Sequence, residues 1–422
     1  MRFFLDWLFK NQTISQTIAK NTFWLFSGQI VGRLLRAAIV IYAARALGAA
    51  GWGAFSYALG IAAFLTIFSD IGINALITKE ASRNPELKDR YLSTAFFTKL
   101  GLLLILVLGV IAFFPYLTNI EEAAMIMPIL IFVFAFDTLR DLGSAVSRAL
   151  EKMEIEAGIH VLTNFAIVIL GFIFLTLNPS SYSLAFAYAA GSGIGLLAIL
   201  FVLRSHFRNL IGNFRKELIK PIISTAWPFG LMGLMGAIML NTDIIMLGWL
   251  RTAEEVGFYS AAQKPIQLLY ILPSLLASSI FPILTRLVKQ NIAEANIILK
   301  KYVKRVVIFS IPIVIAGVAL ATPIINLLFG AEYLPAVVTF QLLILTVAVV
   351  YPSTLLGNAI FAYDHQKSFV TFVGAAAFGN VAFNLLLIPP FGIEGAAVST
   401  IITQLLTNAL IWRKARQIKA LG

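Results

Sequence analysis

Between Asn21 and Arg83 the chain passes twice through an apolar stretch long enough to cross a lipid bilayer, with only a short glycine-rich turn, Gly48 to Gly51, between the two. A spanning helix needs about 20 mostly apolar residues. Inside lipid every backbone polar group must find its partner within the chain, so a run of this kind is confined to a helix. Such runs recur near residues 22–46, 52–78, 92–114, 123–147, 157–177, 182–204, 222–249, 256–284, 302–322, 335–361, 368–388 and 394–412. The pattern predicts an all-α integral membrane protein with twelve spans. Charge content agrees: 12% of residues are charged, where soluble domains carry about 25%. Mean hydropathy is +0.89.

The charges are sorted by loop. Lys and Arg gather before the first span (Arg2, Lys10, Lys20) and between the second and third (Lys79, Arg83, Lys88, Arg90). They gather again after the fourth (Arg148, Lys152), after the sixth (Arg204, Arg208, Arg215, Lys216, Lys220) and after the eighth (Arg286, Lys289, Lys300, Lys301, Lys304, Arg305). Lys367 follows the tenth span, and Arg413, Lys414, Arg416 and Lys419 follow the last. The alternate loops carry Arg251 among acids such as Glu121, Glu122, Glu254, Glu255, Glu332 and Glu394. Under the positive-inside rule both termini are cytoplasmic. The net charge of +12 is then a topology signal and a contact with the bilayer, and nucleic acid is not an expected partner.

The expected organisation is a cytoplasmic interfacial segment over 1–21, a six-helix bundle over 22–204, a cytoplasmic linker over 205–221, a second six-helix bundle over 222–412 and a cytoplasmic tail over 413–422. The opening MRFFLDWLFK is predicted as a short amphipathic helix on the membrane surface. It is not read as a cleavable signal, because Asp6 interrupts the apolar run and no small-residue cleavage site follows.

The two halves echo each other. Gly53-Ala54-Phe55-Ser56 opens the second span and Gly257-Phe258-Tyr259-Ser260 opens the eighth. Leu150-Glu151-Lys152-Met153 follows the fourth span at nearly the same separation from Ala362-Tyr363-Asp364-His365 after the tenth. Each half holds six spans, so the second copy keeps the orientation of the first. The copies are then related by an axis along the membrane normal, with a path between them. Pro228 in the seventh span and Pro265, Pro273 and Pro282 in the eighth mark those two as bending elements. Gly28/Gly32 and Gly191/Gly195 have the small-xxx-small spacing of close helix contacts.

Three stretches resemble the oligosaccharide and polysaccharide flippases of the multidrug/oligosaccharidyl-lipid/polysaccharide exporter superfamily. They are LGAAGWGAFSYALGIAAFLTIFSDIGINALITKEASR up to Arg83, Val256-Gly257-Phe258-Tyr259-Ser260-Ala261, and NVAFNLLLIPPFGIEGAAVST from Asn380 to Thr400. The resemblance covers roughly residues 20 to 415. It implies twelve transmembrane helices in two six-helix bundles around a central cavity, in the plasma membrane. It implies translocation of a polyprenyl-(pyro)phosphate-linked oligosaccharide from the cytoplasmic to the outer leaflet for surface polysaccharide or glycoconjugate synthesis. The partners it implies are the lipid-linked oligosaccharide, the bilayer and glycan-assembly enzymes. The lipid II flippases are similar only loosely, at Gly28 to Gly48. The superfamily's drug and organic-cation antiporters commonly need a carboxylate in the first helix, where this chain has arginines. A membrane glycosyltransferase or polymerase would need large outer loops, and every outer loop here is short.

Charges inside the spans are the candidate working residues. An arginine at mid-bilayer costs from about 3 to more than 10 kcal/mol and usually faces a bundle interior or a wet cavity. Arg33 and Arg36 stand one turn apart on the first span, with no acid on the same helix. An arginine's planar fork donates bidentate hydrogen bonds to phosphate, so Arg33 and Arg36 are the leading substrate-binding candidates, followed by Lys264 and Arg140. Asp137, three residues before Arg140, is expected to pair with it, while Asp141 is expected to point elsewhere. Asp70 and Asp243 are coupling sites for a proton or Na⁺, or counter-ions to an arginine, with the counter-ion role preferred. Arg45 and Lys99, near helix ends, are expected to snorkel to the headgroups. Cysteine is absent and the three histidines form no ligand pattern, so neither a metal site nor a cofactor is expected. No arrangement for hydrolysis or phosphoryl transfer is visible, and the chain is not expected to be an enzyme.

Overall fold

A computed structural model describes Phe9 and residues 13–83, 88–418 and 420. The interfacial helix expected at the start of the chain lies outside the described residues apart from Phe9, whose ring packs 5.4 Å from that of Trp24. Among the described residues the secondary structure is helical throughout. The helices are α1 (Ile14–Leu65), α2 (Ile67–Asp70), α3 (Ile73–Arg83), α4 (Lys88–Phe113), α5 (Glu121–Ala149), α6 (Met153–Leu177) and α7 (Ser181–Val202). After the short α8 (Arg204–Phe207) and α9 (Leu210–Asn213) come α10 (Ile219–Leu250), α11 (Ala253–Leu269), α12 (Ile271–Gln290) and α13 (Ile292–Ala319). The chain ends with α14 (Ala321–Phe329), α15 (Ala336–Ile344), α16 (Thr346–Ala362) and α17 (Gln366–Gln417).

Ten of the described segments are long and apolar enough to cross a membrane. Two of these are very long, and each contains a glycine whose backbone is not helical. Gly48 in α1 has φ 67° and Gly392 in α17 has φ 57°. Both values lie in the left-handed region that glycine adopts without a Cβ clash. Gly48 coincides with the turn expected between the first two spans, and Gly392 lies in the Ile-Pro-Pro-Phe-Gly stretch expected between the last two.

The second expected span is not one continuous helix. α1 stops at Leu65, Ile71 takes φ 45° and Gly72 takes φ 82° before α3 begins. The eighth span is interrupted at Tyr270, between Pro265 and Pro273, as its prolines led one to expect. α10 by contrast stays helical through Pro228.

Contacts group the chain into two compact units. One holds Met1–Leu47 and Ala58–Ala237, the other Gly48–Tyr57 and Ile238–Gly422. In the first, Ile73, Leu76 and Ile77 of α3 pack with Leu92 of α4, Leu142 and Val146 of α5, Ile199 of α7 and Ile222 of α10. Small residues set the closest helix approaches. A Cβ on Gly191 or Gly195 of α7 would strike Ile167 or Thr163 of α6, so the small-xxx-small pair does mark a close contact.

In the second unit the two Gly-x-aromatic-Ser motifs meet. A Cβ on Gly53 would overlap the carbonyl of Ala253, and one on Gly257 the carbonyl of Ala49. Ser260 Oγ donates to Ser56 Oγ at 3.1 Å. The Ala49 amide, at the restart of α1, donates to Glu332 at 2.7 Å. Arg251, the cation on the acidic side, donates to the carbonyls of Ile388 and Pro389. Those are terminal carbonyls of the helical segment that ends before Gly392, and a helix end leaves them without intrahelical partners.

The second sequence echo is repeated in the backbone. Glu151 (φ 57°) and Asp364 (φ 61°) are both left-handed. Around them Leu150 and Tyr363 close onto Val146 and Ala359, and Lys152 and His365 close onto Ser147 and Ile360. The turns after α5 and α16 thus share one hydrogen-bond pattern. Outward-facing apolar side chains complete the membrane character: on α4, Leu104, Ile105 and Leu108 are 59%, 71% and 59% exposed. A surface of that kind is stable against lipid rather than water.

Candidate functional site

The first unit holds the candidate site, and a stripe on α1 places it. Gly28, Gly32, Arg36 and Ile39 follow one another at helical spacing on one face. A Cβ on Gly28 would sit 2.8 Å from Ala157 Cβ, and one on Gly32 would sit 2.5 Å from the His160 ring. Farther along, Ile39 packs against Gly171. Without side chains at 28 and 32, α1 and α6 approach closely. Arg36, one turn beyond, therefore reaches Asn164 of α6, its Nε donating to Oδ1 at 2.9 Å.

Asn164 is held from its other end, where Nδ2 donates to the His160 carbonyl at 2.8 Å. The Arg36 guanidinium lies over the Tyr188 ring of α7, 5.1 Å from its centroid. Arg33 is exposed on α1. Among the described residues it makes no hydrogen bond or salt bridge.

Arg140 on α5 is the opposite case. Its Nη1 donates to Asp137 at 2.7 Å and its Nη2 to Asp141 at 3.0 Å. The Asp137 pair was expected from the spacing. Asp141 was expected to point elsewhere; instead the guanidinium, lying along the helix, reaches back to its neighbour. Arg140, Asp141, Ser144, Gln29 and His160 line a cavity of about 200 Å³. At its rim Arg148 makes a two-pronged pair with Glu156, at 2.7 and 2.5 Å.

Lys99 corrects a further expectation. It does not snorkel: its side chain is 0% exposed and its ammonium donates to Asp70 at 2.8 Å, Asn74 at 2.9 Å and the Thr138 carbonyl at 3.1 Å. All three ammonium hydrogens are used. The cation paired with Asp70 is thus a lysine and not an arginine. The pair sits beside the Ile71–Gly72 break, and a Cβ on Gly72 would strike the Ala226 carbonyl and the Gly230 amide of α10.

The remaining candidates lie in the second unit. Lys264 is half-buried on α11. Asp243 on α10 is 4% exposed and is met by neutral donors: Tyr259 at 2.6 Å, Thr400 at 2.6 Å and Asn384 at 2.7 Å. Asn384 also donates to Asn380 at 3.1 Å. Among the described residues no cationic side chain pairs with Asp243, and its hydrogen-bond partners there are all neutral.

Sequence reasoning singled out neither Asn164, His160 and Tyr188 nor the neutral set around Asp243. The available signal was modest: polar residues four apart, His160/Asn164 and Asn380/Asn384, on otherwise apolar spans.

A family model described as polysaccharide biosynthesis protein matches residues 18–288. The chain belongs to that family. Within the family's wider relations, it is 21% identical over 394 residues to the protein named the probable low-salt glycan biosynthesis flippase Agl15 of Haloferax volcanii, covering 92% of this chain and 81% of that one. Its fold matches that of the lipid II flippase MurJ in an inward closed conformation, with a TM-score of 0.76 at 18% identity over 94% of this chain and 87% of that one. It also matches an inward-facing multidrug resistance transporter of the MOP superfamily, with a TM-score of 0.74 at 17% identity over 92% and 95% of the two chains. This member of the polysaccharide biosynthesis family is thus an all-α, multi-pass membrane protein that shares its fold with those two structures.

Proposed function

We propose that the protein is a flippase that carries a polyprenyl-(pyro)phosphate-linked oligosaccharide from the cytoplasmic to the outer leaflet of the plasma membrane, by alternating access between two six-helix bundles, 22–204 and 222–412. The non-helical Gly48 and Gly392 support reading each very long helix as two spans, which makes twelve, with both termini cytoplasmic. The observation that carries the substrate class is the state of the arginines. Among the described residues, Arg140 pairs with two aspartates, whereas Arg36 is hydrogen-bonded at Nε alone and lies over a ring, and Arg33 makes no hydrogen bond or salt bridge. Two adjacent cationic forks on a membrane helix suit a pyrophosphate, which takes bidentate hydrogen bonds from guanidinium. The family and the glycan flippase among its relatives support the same class. Lys264 is a further substrate contact in this reading, and glycan-assembly enzymes are its partners.

Asp243 is the coupling residue in the proposed cycle. A buried carboxylate ringed by hydroxyl and amide groups, with no basic partner among the described residues, is suited to exchange a proton or Na⁺. The antiporter alternative shares the fold, so fold does not decide between them. The test is complementation of a host that lacks its own glycan flippase, alongside overexpression in a drug-sensitive host. Restored surface glycan with unchanged resistance to organic cations is expected. Raised resistance without restored glycan would refute the proposal.

A further inference from the structure

Resting on the pyrophosphate reading above, we infer that Asn164 and Tyr188 are positioning residues that hold Arg36 as a preformed oxyanion receptor, with its Nη edge turned out for the substrate's phosphates. An arginine has five N–H donors in a rigid plane. Asn164 takes the one at Nε, at 2.9 Å. The guanidinium carbon lies over the Tyr188 ring, 5.1 Å from its centroid. Asn164 and Tyr188 are 2% and 1% exposed, so neither can swing away. Among the described residues nothing bonds the Nη1 and Nη2 groups of Arg36.

The amide of Asn164 can face Arg36 only one way. Its Nδ2 donates to the His160 carbonyl at 2.8 Å, which turns Oδ1 to the guanidinium. The choice of Asn over Asp matters chemically. An aspartate at 164 would accept the same Nε–H but add a charge, and the arginine would become another internally neutralised pair like Arg140 with Asp137 and Asp141. A neutral acceptor fixes orientation and leaves the positive charge for the ligand. The backing ring acts likewise, since an aromatic face attracts the cation without cancelling it. Fixing the fork before binding lowers the ordering cost of the bound state.

The test uses the purified full chain in lipid nanodiscs, titrated calorimetrically with inorganic pyrophosphate and with farnesyl diphosphate. Thermal stability is measured on the same samples. The unmodified protein is expected to bind both, and Arg36→Ala to lose at least tenfold in affinity. Asn164→Asp is expected to lose about tenfold or more in affinity in the folded fraction, because the new carboxylate pairs with Arg36. Asn164→Ala and Tyr188→Leu are expected to weaken binding several-fold, and Tyr188→Phe to restore what Tyr188→Leu loses. A purely structural role would instead lower the melting temperature of Asn164→Ala with unchanged affinity in the folded fraction. If Arg36→Ala loses binding but Asn164→Asp and Tyr188→Leu bind like the unmodified protein, the positioning role is overturned and the pyrophosphate reading stands. If the unmodified protein binds neither probe, or Arg36→Ala binds as well, the pyrophosphate reading fails and takes the positioning role with it.

Discussion

Lys99 and Asp70 form a salt bridge at 2.8 Å in which the lysine side chain is fully buried, directly beside the point where the second span breaks at Ile71 and Gly72. Removing one partner strands a charge out of water, which costs about 3–5 kcal/mol, whereas replacing both with neutral groups is far less damaging. Asp70→Asn and Lys99→Met are each expected to lower membrane abundance and melting temperature sharply, and the double variant to recover most of the loss. Thermal unfolding in detergent, read by intrinsic fluorescence, checks this. Additive losses in the double variant would mean that the two residues act separately.

Glycines divide by what surrounds them. Gly53→Ala would drive a Cβ into the Ala253 carbonyl and Gly257→Ala into that of Ala49, both backbone atoms that cannot step aside. Gly101→Ala and Gly109→Ala on α4 meet nothing within 4 Å. The first two are each expected to cost about 1–3 kcal/mol or more. The second two are expected to be neutral or stabilising, by up to about 1 kcal/mol, since alanine is the better helix former. Melting temperatures of the four variants provide the comparison.

Much of this was legible in the sequence, and the parts that were not have specific causes. The spans followed from apolar runs of bilayer length, whereas the paired motifs at Gly53 and Gly257 read only as an internal echo, and their meeting through the Ser56–Ser260 hydrogen bond was not foretold by them. The Arg140–Asp137 pair was readable because both residues lie on one helix. Lys99 was misread because its partner is far away in sequence and reaches it only through the break at Ile71, where an isoleucine takes a left-handed backbone that nothing local foretells. Asn164 was overlooked because the signal that it meets Arg36 is written in the absence of side chains at Gly28 and Gly32. Its effect depends on the register of α1 against α6, a tertiary property.

Asp243 offers a separation of coupling from folding. Asparagine at 243 retains the shape and can hydrogen-bond the ring of neutral groups, Tyr259, Thr400 and Asn384, but carries no charge. Asp243→Asn is expected to reach the membrane at normal level and to lose at least tenfold in transport driven by an imposed proton or Na⁺ gradient. Transport assays in proteoliposomes with each gradient applied in turn check the expectation. Unchanged gradient-driven transport in the variant would exclude Asp243 as the coupling residue.

The sorted loop cations set the expected topology. Reporter fusions at Asn119, Pro179 and Tyr333 are expected to read outside, and fusions at Asn84, Asn213 and Asn291 cytoplasmic. An outside reading at Asn213 would break the six-plus-six arrangement.

The most direct test is leaflet translocation of a lipid-linked oligosaccharide in proteoliposomes, comparing the unmodified protein with the Arg33→Ala, Arg36→Ala double variant at equal protein density. Arg→Lys at either position keeps the charge but loses the planar fork, so a partial loss is expected there. For the double alanine variant, folded and inserted as judged by its melting temperature, translocation is expected to fall to the level of protein-free liposomes. Translocation by that variant at the rate of the unmodified protein would contradict the cationic-fork mechanism.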